Sequence, residues 1–197
     1  MNLPNKLTVL RIVLVPILIL VWTFPYASVG IVFGCINIGN ITISYLNIIL
    51  LFIFCVASIT DLLDGRIARK KNLITTFGKF ADPIADKLLV NTCFIIMAAK
   101  GMIPVVPVVL MLARDTVVDC CRMIASQNGV VVAAGFMGKM KTVLQMISII
   151  LVFINNVPFE LIGIPMADLF VWFATFVSVI SGYSYFIKLK DYIFESI

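Results

Sequence analysis

Charge is distributed very unevenly along the chain. From Ile12 through Thr60 there is no Asp, Glu, Lys or Arg, and from Thr142 through Ile187 only Glu160 and Asp168 interrupt the apolar sequence. Crossing a hydrocarbon core of about 30 Å takes roughly 20 apolar residues in a helix. The apolar runs break at turn formers, FPYASVG, GCINIGN, KGMIP, SQNG and INNVP. This pattern predicts six helices at about residues 7–25, 43–69, 82–100, 104–126, 139–156 and 166–188. A closed helical bundle is expected, because inside a bilayer every backbone group must be satisfied without water. The expected fold is an all-α integral membrane protein with six transmembrane helices, organised as a single domain over residues 1–197.

Composition strengthens that reading. The chain is 62% hydrophobic and 13% charged, with a mean hydropathy of +1.14, which excludes an ordinary soluble domain. The first apolar run lacks an A-x-A-like cleavage site and continues into more apolar sequence, so it is expected to stay in the mature protein. Cys35, Cys55, Cys93, Cys120 and Cys121 form no CxxC pair, and there is no His, so free thiols are expected in preference to a disulfide or zinc site. Basic residues gather at positions 6 and 11, 66–79, 139 and 141, and 188 and 190, whereas the intervening ends carry only Lys100. The positive-inside rule then makes the basic ends, and both termini, cytoplasmic.

Composition does not explain the stretch from Thr60 to Lys87, where four Asp and six basic residues follow directly on an apolar run. The second helix, about residues 43–69, would extend roughly 40 Å, so its charged end should emerge from the membrane. At about 100° per residue, Asp61, Asp64, Gly65 and Ala68 share one helical face. Gly78, Asp82 and Asp86 recur every four residues and form a second stripe on the next helix. Four bare carboxylates in one pocket repel one another, and divalent cations resolve the conflict. Carboxylates without His or thiolate favour hard ions, so Mg²⁺ or Mn²⁺ is expected. Gly65, Ala68 and Gly78 would admit a bulky ligand to the helix backbones, and Arg69 offers a fork for a phosphate. An ion-conducting or proton-relay site also places acids in membranes and stays open at this point.

Written as a pattern, residues 61–86 read D-x2-D-G-x2-A-R-x8-G-x3-D-x3-D. This spacing resembles the signature of the CDP-alcohol phosphatidyltransferase family at every fixed position, and the family's six-helix topology fits the helices above. A membrane prenyltransferase also uses Asp-bound Mg²⁺, but its N/D-x-x-x-D pattern does not match. The stretches NLPNKLTVLRIVLVP, FGKFADPIADKLLV, ARDTVVDCCR and GKMKTVLQM look like the branch of the family whose acceptor is glycerol 3-phosphate. The resemblance implies transfer of the phosphatidyl group of CDP-diacylglycerol to sn-glycerol 3-phosphate, with release of CMP. Relatives that use inositol phosphate, serine or phosphatidylglycerol share the same catalytic residues.

Carried onto matching positions, the resemblance implies that Asp61, Asp64 and Asp82 are metal ligands for two ions. Asp86 would be the general base lying near the same metals. Asn5, Thr8, Asp61, Gly65, Arg69 and Gly78 resemble the family's cytidine diphosphate contacts. It also implies a homodimer in a bacterial inner membrane, with the active site at the cytoplasmic face. Substrates and membrane lipids are the expected partners, with no nucleic acid. An acceptor carrying a phosphate dianion needs a basic pocket beside the acids, for which Arg114, Arg122, Lys139, Lys141 and Thr142 are the candidates. Lys139 and Lys141 also fit plain positive-inside anchors. Asp115 and Asp119 are expected to hold the arginines in ion pairs. Trp22, Tyr183 and Tyr185 read as interfacial aromatics, and Glu160 and Asp168 as outer-surface residues.

Overall fold

The structure, a computed structural model, describes residues 2–70, 75–128 and 135–195. Six long helices dominate: α1 (Leu3–Thr23), α2 (Tyr45–Lys70), α3 (Thr76–Ala99), α4 (Val105–Gln127), α5 (Phe136–Phe153) and α6 (Met166–Glu195). The chain divides into two compact units, one comprising Met1–Cys93 and Phe153–Ile164, the other Phe94–Val152 and Pro165–Ile197. Stretches long and apolar enough to cross a membrane occur at Pro4–Thr23, Phe136–Phe153 and Met166–Lys190. Their exposed faces carry Leu10, Val13, Ile17 and Leu20 on α1 and Leu169, Trp172, Phe173 and Phe176 on α6, the outward apolar surface that a lipid environment requires.

In the first unit α1 packs along α2. The buried face of α1 runs Thr8, Arg11, Val15, Leu18, Trp22, alternating steps of three and four residues, so one stripe is polar at one end and apolar at the other. On α2 the buried row Leu50, Phe54, Ala57 continues in the same phase to Asp61. On α3 the corresponding row is Ala81, Ala85, Leu89, Cys93. The apolar end is closed by Trp22 against Phe153, ring centroids 4.9 Å apart, with Phe54 6.4 Å from the same ring. Trp22 is thus a core residue and not the interfacial aromatic expected from its place near a helix end.

Two helix starts differ from expectation. Helix α1 begins at Leu3 and not near residue 7, because Pro4 falls in the first turn, where its missing N–H would have had no intrahelical partner. Helix α3 begins at Thr76 and not near residue 82. The hydroxyl of Thr75 accepts the Gly78 amide at 3.1 Å and caps the helix, which brings Gly78 into the first turn and leaves Pro83 inside. The connection between α1 and α2 is also more ordered than a loop. It holds an antiparallel hairpin, β1 (Cys35–Ile38) and β2 (Ile41–Ser44), with Ile38 opposite Ile41. Gly39, at φ +61°, starts its two-residue turn. Ile41 and Ile43 face inward, and Asn155 donates to the Thr42 carbonyl at 2.6 Å.

In the second unit α4 packs along α6. Buried positions on α4 are Val108, Met111, Asp115, Val118, Cys121 and Ala125, a regular stripe with one carboxylate in its middle. The facing stripe of α6, Val171, Ala174, Ser178, Ser181, Tyr185, is small or hydroxylic over most of its length, which lets side chains from α4 lie across it. All five cysteines are free thiols.

Candidate active site

The polar end of the α1 stripe meets the acids of the next two helices. Arg11 is fully buried, and its Nη1 lies 2.6 Å from Asp61 Oδ1 on α2 and 2.8 Å from Asp86 Oδ1 on α3. One guanidinium therefore ties the two carboxylate stripes together. The Asp61 and Asp86 side chains keep 20% and 37% exposure, so each acid turns one side to the sealed arginine and stays reachable from the other. One turn further along α1, the Thr8 hydroxyl donates to Asp82 Oδ1 at 2.5 Å and lies 3.1 Å from the Pro4 carbonyl.

Beside these acids is a small polar niche. The Thr75 hydroxyl donates to Asn5 Oδ1 at 2.9 Å while accepting the Gly78 amide. A Cβ at Gly78 would sit 3.4 Å from Thr75 Oγ1, 3.5 Å from Asn5 Oδ1 and 3.6 Å from Asp82 Oδ2, so the glycine leaves open a space surrounded by oxygen atoms. Asn5, Thr8, Asp61, Gly78, Asp82 and Asp86 are thus gathered within the first unit. For residues 62–70 only the backbone of α2 is described, so the side chains of Asp64, Ala68 and Arg69, and the surroundings of Gly65, lie outside the described residues.

Among the described residues, no group of three or more Asp, Glu, Cys or His stands close enough to hold a metal ion. The chemistry of the donor set nonetheless suits a hard cation, since it consists of carboxylates alone. In this structure Arg11 supplies the positive charge between Asp61 and Asp86. Arg11 and Thr75 are the site residues that sequence reasoning missed. In the sequence Arg11 reads only as a basic residue near the membrane face. Its signal was its phase: three residues after Thr8, on the face that α1 buries, where an ionised side chain in an apolar helix needs a partner.

The second unit holds a separate charged cluster. Asp115 accepts from Lys141 Nζ through both carboxylate oxygens and from Arg114 Nη1 at 2.9 Å. Arg114 also donates through Nε to the Ser178 carbonyl at 2.9 Å and through Nη2 to Ser181 Oγ at 2.7 Å. A Cβ on Gly182 would lie 2.7 Å from Arg114 Cγ, so only glycine leaves room for that arginine. Arg122 stacks 4.7 Å from the Tyr185 ring centroid and donates to its hydroxyl at 2.8 Å, and the Gly135 amide donates to the same oxygen at 2.7 Å. Arg114 and Arg122 therefore share the face of α4 turned to α6. Tyr185, read as interfacial, is a buried clamp for Arg122. Lys139 is exposed, and the Thr142 hydroxyl donates to the Gly138 carbonyl at 3.2 Å. Next to Tyr185 a cavity of about 220 Å³ is lined by Gly135, Ser181, Ser184 and Lys188 among others.

The chain is similar over nearly its whole length to known proteins. The family model described as CDP-alcohol phosphatidyltransferase matches residues 1–180. Over 187 residues the chain is 41% identical to a Bacillus subtilis (strain 168) protein named CDP-diacylglycerol–glycerol-3-phosphate 3-phosphatidyltransferase, covering 95% of this chain and 94% of that protein. A Rickettsia typhi protein of the same name is 37% identical over 192 residues, 97% of this chain and 98% of its own length. The Rickettsia prowazekii counterpart is likewise 37% identical over 192 residues. With a family match spanning nearly the whole length and long apolar helices to place it in a bilayer, this chain belongs to the CDP-alcohol phosphatidyltransferase family as an integral membrane protein.

Proposed function

We propose that this chain transfers the phosphatidyl group of CDP-diacylglycerol to the 1-hydroxyl of sn-glycerol 3-phosphate, giving phosphatidylglycerophosphate and CMP. The observation that carries the reading is that Arg11 joins Asp61 to Asp86 while Thr8, one turn away on the same face of α1, holds Asp82, in a chain similar over nearly its full length to proteins named for that reaction. Asp61, Asp64, Asp82 and Asp86 are the residues to hold two divalent ions, Mg²⁺ or Mn²⁺. When bound, such ions would neutralise the pyrophosphate and stabilise the attacking and leaving oxygens of the displacement. Asn5, Thr8, Gly65, Arg69 and Gly78 take the cytidine diphosphate portion, the Gly78 niche giving it room beside polar oxygens.

Asp86 is the proton acceptor. The acceptor hydroxyl gives its proton to Asp86 as its oxygen bonds to the phosphatidyl phosphorus, and the bond from that phosphorus to the bridging oxygen breaks with its electron pair leaving on CMP. A carboxylate is a weak base toward an alcohol, so proton transfer has to accompany attack and not precede it. The phosphate of the acceptor is matched to Arg114, Arg122, Lys139, Lys141 and Thr142. Arg114 and Lys141 are held by Asp115 and Arg122 by Tyr185, so three of these cations are fixed in place before any substrate arrives. Six spans with both termini in the cytoplasm, a homodimeric state and a bacterial inner-membrane location complete the reading. An acceptor panel tests it: purified protein, CDP-diacylglycerol and Mn²⁺ should yield lipid from labelled glycerol 3-phosphate well ahead of inositol phosphate, serine or phosphatidylglycerol. Preference for another alcohol would reassign the acceptor.

A further inference from the structure

The family signature lies wholly on α2 and α3, yet the side chain that joins its acids comes from α1. Arg11 is 0% exposed, lies within the apolar stretch Pro4–Thr23, and places a single nitrogen within 2.8 Å of carboxylates on two other helices. A buried, always-ionised guanidinium is retained only where it meets negative charge, and these carboxylates are close enough to need one. Every other buried residue of its stripe beyond Thr8, namely Val15, Leu18 and Trp22, is apolar, so Arg11 is the one fixed charge that α1 brings to the interior of this unit among the described residues.

We infer that Arg11 is the permanent counter-cation of the acid cluster. It keeps Asp61 and Asp86 together when no divalent ion is present, and its charge lowers the affinity with which the cluster takes one. The inference rests on the reading that these acids bind divalent ions, and it assigns Arg11 as a positioning residue and not a catalytic one. A purely structural arginine would stabilise the protein equally with and without metal. A counter-cation is needed most when metal is absent, so removing it should make the metal matter more.

The test is thermal unfolding of the full-length, detergent-solubilised protein titrated with Mn²⁺, comparing wild type, Arg11→Met and Arg11→Lys. In wild type Mn²⁺ should raise Tm. In Arg11→Met the metal-free Tm should fall, the Mn²⁺ increment should exceed that of wild type, and the Mn²⁺ midpoint should drop roughly tenfold, the scale for removing one positive charge a few ångströms from a dication in a wet site. Arg11→Lys keeps the charge, so its midpoint should stay near wild type even where its Tm is lower. If Arg11→Met does not fold without metal, its recovery on purification in Mn²⁺ is the same result. An equal Mn²⁺ increment and midpoint in wild type and Arg11→Met would overturn the role of Arg11 alone. No Mn²⁺ effect on wild type would overturn the metal reading together with it.

Discussion

The two units each contain an ion cluster, and the clusters are inverse in make-up. In the first, a single cation, Arg11, serves two acids, Asp61 and Asp86. In the second, a single acid, Asp115, serves two cations, Arg114 and Lys141. Among the side chains these ion pairs join, carboxylates outnumber the cation in the first cluster and cations outnumber the carboxylate in the second. An incompletely balanced cluster in a low-dielectric surrounding attracts a ligand of the opposite sign. On the proposed reading the first takes cations and the pyrophosphate they carry, and the second takes an anion such as the acceptor phosphate.

The largest effect should come from the acid cluster. Asp86→Asn should lower turnover by about 10²–10⁴-fold, the range for a general base, measured as CMP release with folding checked by size-exclusion chromatography. Near-normal turnover would remove Asp86 from the chemistry. Breaking the second cluster should register first in stability. Asp115→Asn removes the carboxylate that Arg114 and Lys141 share and should cost about 3–5 kcal/mol, whereas Lys141→Met leaves Asp115 paired with Arg114 and should cost less. Equal losses in the two variants would contradict the assigned imbalance.

Smaller changes test whether the second cluster meets the acceptor. Gly182→Ala puts a methyl 2.7 Å from Arg114 Cγ and should displace the guanidinium from Ser178 and Ser181. The expected result is about 1–3 kcal/mol of lost stability, with a raised KM for glycerol 3-phosphate and an unchanged KM for CDP-diacylglycerol. The smallest effect belongs to Tyr185→Phe, which keeps the ring under Arg122 but loses the hydroxyl that accepts from Arg122 and Gly135, about 1 kcal/mol and a modest rise in the same KM. A change in the KM for CDP-diacylglycerol in either variant would erase the division of labour between the clusters.

Much of this contrast was legible in the sequence, for identifiable reasons. Apolar runs bounded by turn formers located the six long helices, and four-residue spacing placed Gly78, Asp82 and Asp86 on one face. What was missed depended on partners far along the chain. Helical phase puts Arg11 on the buried face of α1, but nothing local names its partner Asp86, 75 residues away. Trp22 and Tyr185 sit near helix ends, where a lipid-interface aromatic and a buried one read alike, and contact with Phe153 or Arg122 decides between them. The hairpin was hidden because each strand is only four residues long, too short for its alternation of Ile with polar residues to stand out from a loop. The early start of α3 depended on a cap, Thr75, whose hydroxyl also reaches Asn5 across 70 positions.

On the proposed reading the acid cluster works through divalent cations on a CDP-linked lipid. The most direct measurement is CMP release from CDP-diacylglycerol by the purified protein with glycerol 3-phosphate, in Mn²⁺ or Mg²⁺ and again after chelation. CMP and labelled phosphatidylglycerophosphate should form in equal amounts, abolished by chelation and restored by added metal. A folded protein that releases no CMP with any acceptor, or releases it undiminished without divalent ions, would contradict it.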